Sequence, residues 1–269
     1  MQPKHYIANV VALESLTFNV FKMTLQLKTF PKIKPGQFLN IKVPGFSLRR
    51  PFGISHYSEK DKTVSFCFML KGDGTKELAK AKVGDTLDVL MPLGNGFLQI
   101  KNKTVAIVSG GIGLFPLLPT AKGLAEAGNK VHSFLGFTNK DAAILLDEFK
   151  AHSTSTTIAT DDGSIGTKGY VTDLIVKEFD KIKPDYIFAC GPEGMFKTLK
   201  QQFFTADNTL KPQFAGTEIY VSLEQRMACG FGVGKCCNQH VKLESGDDHM
   251  ARVCCDGPVF NLKEVVFDV

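Results

Sequence analysis

The chain has 269 residues, 43% apolar and 22% charged, the composition of an ordinary globular protein long enough for two or three packed units. Its 32 basic and 27 acidic residues leave a net charge of only +5, and the lysines are dispersed, which argues against nucleic acid and fits small anionic ligands. The opening stretch lacks a basic run followed by an apolar one, and the longest apolar run is broken by glycines and prolines. A secretory signal and a membrane helix are therefore not expected, and a cytoplasmic location is.

Residues 1–101 alternate apolar and polar side chains in short runs such as "HYIANVVAL", "LTFNVFKMTLQL", "GQFLNIKV" and "TVSFCFML". Period-two alternation cut by Gly and Pro turns predicts a small antiparallel β-barrel. Within it, "LRRPFGIS" offers Arg49 or Arg50 for charge-assisted bonds to a phosphate. In "LKGDGTKELAK", Gly72, Gly74 and Thr75 open a short helix that could take the other side of a pyrophosphate.

Residues 102–214 change texture to strand and helix in alternation: "TVAIVS", a helix from Leu114, "KVHSFLGF", a helix around "AAILLDEFKA", "STTIAT", a helix "VTDLIVKEF", "DYIFAC" and a helix "GMFKTLKQQFF". That order predicts a doubly wound parallel α/β unit. Gly110, Gly111 and Gly113 follow the first strand at the mouth of a helix, where unpaired N–H groups suit a pyrophosphate. The pattern is GGxGxxP rather than GxGxxG, so a packing role for these glycines stays open. "YIFACGPEGMF" repeats the layout, with a strand ending at Cys190 and a turn through Gly191 and Pro192. After the second strand Lys140 is a lone cation with no arginine pair, which favours NAD over NADP.

Residues 215–269 begin with a last strand, "TEIYVS", and then crowd five of the seven cysteines together. In a reducing compartment such cysteines are metal ligands or free thiols. Cys229, Gly234, Cys237 and Cys254 fall at the C-x4-C-x2-C…C spacing of a plant-type 2Fe-2S site, but Gly234 stands where the second thiolate belongs. Cys236, two residues on, is within roughly 7 Å of extended chain and is the nearest replacement. Cys255, His240 and His249 are further candidates, and a zinc site or free thiols remain alternatives to the cluster. No Ser-His-Asp arrangement, HExxH pattern or carboxylate pair stands out.

The order of these motifs, with "TDDGSIGTKGYVTD", "SLEQRMACG" and "VCCDGPVF", resembles over nearly the whole chain the electron-transfer subunits of NAD-dependent bacterial dihydroorotate dehydrogenases, within the ferredoxin reductase superfamily. The resemblance implies an FMN-containing catalytic subunit that oxidises dihydroorotate, joined to this chain in a heterotetramer. Electrons would pass through a 2Fe-2S cluster and FAD to NAD+, in the service of pyrimidine biosynthesis. It further implies that Arg50 binds the FAD pyrophosphate and that Pro51, Phe52 and Gly53 lie against the flavin, Gly53 standing where relatives often carry a hydroxyl. Lys71, Gly74 and Thr75 would form the second FAD segment. Gly110, Gly111 and Gly113 would take the NAD phosphates, and Cys190, Gly191 and Pro192 would lie beside the nicotinamide, with Cys190 as the catalytic candidate. The metal set expected is Cys229, Cys236, Cys237 and Cys254. Competing readings are a superfamily relative serving another acceptor, and a cluster-less interaction subunit.

Overall fold

A computed structural model describes residues 4–267. Six antiparallel strands close into the expected barrel: β1 (Lys4–Ser15), β2 (Val20–Gln26), β3 (Phe38–Lys42), β4 (Arg50–Ser58), β5 (Thr63–Met69) and β6 (Thr86–Leu93), in spatial order β1-β2-β5-β4-β3-β6. Closure removes the free strand edges, and the inward residues Met23, Leu25, Leu39, Ile41, Val64, Phe66 and Val89 are fully buried. The short helix α1 (Asp73–Leu78) leaves the end of β5.

The second unit is a seven-stranded sheet. Its parallel strands are β7 (Thr104–Gly110), β8 (Lys130–Phe137), β9 (Ser155–Thr160), the two-residue β10 (Thr167–Lys168), β11 (Tyr186–Cys190) and β12 (Glu218–Ser222); β15 (Val259–Asn261) joins antiparallel at one edge. The order is β10-β9-β8-β7-β11-β12-β15. Alternation along β7 explains the two helical layers. Val105 and Ile107 pack with Leu117, Leu118 and Ala121 of α2 (Leu114–Glu126), whereas Ala106 and Val108 pack with Ile175 and Phe179 of α4 (Val171–Ile182) and Phe196 and Leu199 of α5 (Glu193–Phe203). Each of the Val, Leu, Ile and Phe side chains withdrawn from water stabilises the fold by roughly 1.5–3 kcal/mol, the alanines by less. The helix expected around "AAILLDEFKA" is shorter, α3 (Leu146–Ala151), because Leu145 takes a left-handed φ of 57° and breaks the preceding turn.

The division expected at residues 214 and 215 falls inside the sheet. β12, assigned from sequence to the C-terminal unit, pairs in parallel with β11 from Tyr186↔Glu218 to Cys190↔Ser222. The tail also shares the sheet's core: Val241, Val253, Leu262 and Val265 belong to the same buried cluster as Phe196 and Leu199. Lys200 of α5 donates to the carbonyls of Lys263 and Val265. A hairpin of β13 (Asn238–Lys242) and β14 (Asp248–Arg252) completes the tail. Among the described residues no helix is long and apolar enough to cross a membrane.

Candidate functional site

The barrel and the sheet face one another across a single large cavity of about 1080 Å³. That slightly exceeds the roughly 300–1,000 Å³ of a site for one small ligand. On the sheet side it opens where β7 is flanked by β8 and β11, the strand-order switch at which ligands bind in wound sheets.

On the barrel side Pro51, Phe52 and Gly53 of β4 line the cavity together with Lys71 and Thr75. Phe52 is held flat by stacking on Phe66, with ring centroids 4.9 Å apart and planes 21° apart. Gly53 packs closely against the second unit: a Cβ there would stand 3.0 Å from the Pro116 side chain of α2. The two arginines separate cleanly. Arg49 is committed to the fold, donating to both carboxylate oxygens of Asp88 at 2.8 and 2.9 Å and to the Asp88 carbonyl at 3.0 Å. Arg50 makes no ion pair among the described residues; it donates to the Leu48 carbonyl, lies 5.3 Å over the Phe46 ring and covers Gly74, whose Cβ would meet its Nε at 2.9 Å. A guanidinium with no carboxylate partner among the described residues is thus presented beside the turn that opens α1. The Thr75 hydroxyl is spent within that turn, accepting from the amides of Lys71 and Gly72 and donating to the Gly72 carbonyl.

On the sheet side Gly110, Gly111, Gly113, Cys190, Gly191 and Pro192 all line the cavity. Their reasons differ. Gly111 has φ +54° with open space around its α-carbon, so its backbone is free to meet a ligand, whereas a Cβ on Gly113 would lie 2.2 Å from the Cys190 carbonyl oxygen. Gly113 is therefore a close-packing position between helix and strand. Cys190 is 2% exposed, and burial, with the nearby Glu224 carboxylate, pushes its thiol well above the usual range. It is no nucleophile at neutral pH. Its register neighbours are Ser109 and Ser222, so three small buried side chains form a row across the ends of β7, β11 and β12.

The cysteine-rich loop is seated against the barrel. The Asn40 side chain donates to the Cys229 carbonyl at 3.1 Å, and a Cβ on Gly230 would collide with that Asn40 amide at 2.4 Å. Further on, Asn95 donates to the Asp256 and Val259 carbonyls and accepts from the Val259 amide. Among the candidate ligands Cys237 and Cys254 are 2% and 1% exposed and touch through their thiols; burial, then Cys237, pushes Cys254 upward. Cys229 behaves oppositely. Burial raises it, but the amides of Phe231, Gly234, Val233 and Gly232 turned toward its sulfur lower it by more, and Gly234 N–H donates to it at 3.2 Å. Cys236 accepts from the Ala228 amide at 3.1 Å, on the same loop. Gly234 faces the thiol it was expected to accompany, since a Cβ there would lie 3.3 Å from Cys229 Sγ. Among the described residues no three His, Cys, Asp or Glu side chains converge in the manner of a closed metal site. The other candidates are engaged elsewhere: His240 with Asp248, His249 with Asp247 at 3.0 Å, and Cys255 with Asp256 at 3.5 Å.

The cavity wall also holds ionisable residues not singled out from the sequence, Asp161 and Tyr170, at the end of β9 and the start of α4, and Glu224, just past β12. All three lie inside "TDDGSIGTKGYVTD" and "SLEQRMACG", so the motifs were visible although the individual roles were not.

A closed antiparallel barrel beside a wound sheet, sharing one cavity and trailing a cysteine loop, defines an oxidoreductase of the ferredoxin-reductase fold. Similarity to known proteins narrows this. Residues 107–201 match the oxidoreductase NAD-binding domain, and residues 224–266 match the iron-sulfur cluster binding domain of dihydroorotate dehydrogenase B. The chain is 37% identical over 273 residues to the "Dihydroorotate dehydrogenase B (NAD(+)), electron transfer subunit" of Enterococcus faecalis, covering 99% of this chain and 100% of the relative. It is 39% identical over 253 residues to the protein of the same name from Geobacillus kaustophilus, covering 91% and 92%. It also superposes with a TM-score of 0.82 and 32% identity on a chain of the NADH-dependent reduced ferredoxin-NADP oxidoreductase, over 96% of this chain and 89% of that one. The chain belongs to the family of electron transfer subunits of NAD(+)-dependent dihydroorotate dehydrogenase B.

Proposed function

We propose that this chain carries electrons from a dihydroorotate-oxidising, FMN-containing catalytic subunit to NAD+, as part of a cytoplasmic heterotetramer serving pyrimidine biosynthesis. The observation that carries the reading is the shared cavity, with a flat aromatic and cationic wall on the barrel and a switch-point wall on the sheet. The residues present fit FAD. Arg50, unpaired with any carboxylate, and Lys71 would hold its pyrophosphate, Phe52 with Pro51 and Gly53 would carry its ring, and Gly74, which leaves room for the Arg50 guanidinium, would let the phosphates approach. NAD would lie over Gly110, Gly111 and Gly113, with its nicotinamide beside Cys190, Gly191 and Pro192. Cys190 there is a buried, protonated filler that shapes the wall.

The donor chemistry of the tail also fits a 2Fe-2S cluster. Amides turned toward Cys229 favour a thiolate, and the crowded Cys237–Cys254 pair would be relieved by a cation. Cys229, Cys236, Cys237 and Cys254 would hold it, Cys236 replacing the thiolate that Gly234 lacks. When bound, the flavin accepts electrons singly or in pairs and the cluster passes them one at a time, a division of labour that leaves the protein to bind, orient and exclude water. The absence of any acid–base triad in the sequence agrees with that role.

Co-expression with a dihydroorotate-oxidising subunit tests the reading. The expected result is co-purification and NAD+ reduction that depends on dihydroorotate. A complex that forms but reduces only other acceptors would replace this function with that of a relative serving a different acceptor.

A further inference from the structure

Asn40 is a buried amide that neither the barrel nor the cavity accounts for. Along β3 the side chains alternate: Leu39 and Ile41 enter the barrel, while Phe38 and Asn40 stand on its outer face, opposite Gly53 and Pro51 of β4. Phe38, Gly53 and Pro51 all line the main cavity. Asn40, which completes the group, is instead covered by the cysteine loop and fully buried. Its Nδ2 donates to the Cys229 carbonyl at 3.1 Å, and Gly230, at φ +82°, lays its backbone directly on the amide. The Oδ1 atom, equally buried, has no partner among the described residues. A buried amide with its acceptor unmet opposes folding, and a leucine of similar size would fill the place without that penalty. What the amide does for the loop therefore accounts for it better than what it does for the barrel.

The loop needs such a hold. Met227, just before Cys229, and Pro258, shortly after Cys254, both line the main cavity, so the chain enters and leaves the cysteine segment along the flavin wall. In between, Gly230 and Gly232, both at positive φ, leave the backbone pliant. Among the described residues no other side chain of the barrel hydrogen-bonds residues 227–237. Resting on the function proposed above, we propose that Asn40 is a positioning residue for electron transfer. By holding the Cys229 carbonyl it fixes the Cys229 sulfur, and with it the cluster, against the wall that β3 and β4 present to the flavin. Each electron passed between cluster and flavin oxidises one and reduces the other with no bond made or broken, and two such transfers match one hydride leaving to NAD+. Transfer of this kind slows steeply as the gap widens, and a misplacement of about 1 Å between reacting groups can lower a rate on the order of 100-fold. A loop free to drift would thus lose rate while both groups stay bound.

The test compares the wild-type full chain with Asn40→Leu, which keeps the volume and removes the donor, and with Asn40→Ala, which stands in should the leucine variant misfold. The first readout is amide hydrogen exchange before the cluster is loaded. Exchange across residues 228–234 should quicken at least tenfold in the variants, with exchange in β3 and β4 unchanged. The second readout mixes the chain, carrying FAD and cluster, with NADH, and follows bleaching of the flavin and the rise of the reduced cluster's electron paramagnetic resonance signal by rapid freezing. Bleaching should keep its wild-type rate while the cluster signal rises at least tenfold more slowly, at equal iron content. An unchanged rate of the cluster signal, unchanged loop exchange, or bleaching slowed as much as the cluster signal would overturn the assignment. So would failure of both variants to fold or to hold the cluster, which would make Asn40 a structural residue. A wild-type chain that NADH does not bleach, or that holds no iron and sulfide, would strike the proposed function itself and the role of Asn40 with it, a result visible before any variant is compared.

Discussion

At the scale of single residues the sequence marks positions without sorting them. "LRR" offers two arginines; only packing shows that Arg49 is consumed by Asp88 while Arg50 makes no ion pair among the described residues. Arg50→Ala is accordingly expected to weaken FAD binding at least tenfold, measured by fluorescence titration, with the melting temperature of the FAD-free chain unchanged. Arg49→Ala should do the reverse, costing roughly 1–2 kcal/mol in chemical denaturation, because it removes two charge-assisted bonds from a part-buried carboxylate and leaves it with His5 as its partner. The glycines divide in the same way: Gly111 is open and Gly113 is sterically required beside Cys190, a distinction that depends on a strand almost eighty residues away and so is invisible locally. The cysteine loop yields the sharpest residue-level prediction. Cys236→Ser should abolish the electron paramagnetic resonance signal of the reduced, anaerobically prepared protein and its acid-labile sulfide. An unchanged signal in that variant would move the fourth ligand elsewhere, with Cys255 the next thiol in the tail.

At the scale of elements, the barrel and the wound sheet were legible because both rest on local periodicity, two along the strands and 3.6 along α4 and α5. What was not legible was membership. β12 is a five-residue apolar strand whose sheet is decided by pairing with β11, a non-local choice, and so a division at 214 and 215 cut through the sheet. The β13–β14 hairpin escaped notice for a related reason: its residues are mostly exposed or half-buried, and only Val241 and Ala251 are buried. Within the barrel, β4 carries a pH-sensitive element of its own. His56 is lowered to about 4, chiefly by burial and then by Lys22 and Lys122. The folded state therefore binds fewer protons than the unfolded chain between about pH 4 and 6.5, and stability is complete above 6.5 and lost as the pH falls through that window. The loss reaches about 2–3 kcal/mol. Urea denaturation at pH 7 and pH 5 should show a drop in wild-type that His56→Gln lessens; equal drops in both would remove His56 as the cause.

At the scale of the whole molecule, function was read from the order of motifs along the chain, and the fold turns that linear order into one place. The barrel turn, the two glycine turns of the sheet and the segment after β12 are far apart in sequence yet line a single cavity, and the cysteine loop is strapped beside them through Asn40 and Asn95. Glu224 shows the limit of that reading. It sat within one of the motifs, but its place on the cavity wall is decided by segments far apart in sequence. The central claim is that flavin and nicotinamide meet in this one cavity, and anaerobic titration of the purified full chain with NADH tests it most directly. The account predicts a yellow protein with one FAD per chain whose flavin absorption is bleached by NADH; a colourless chain whose spectrum is indifferent to added FAD and NADH would contradict it.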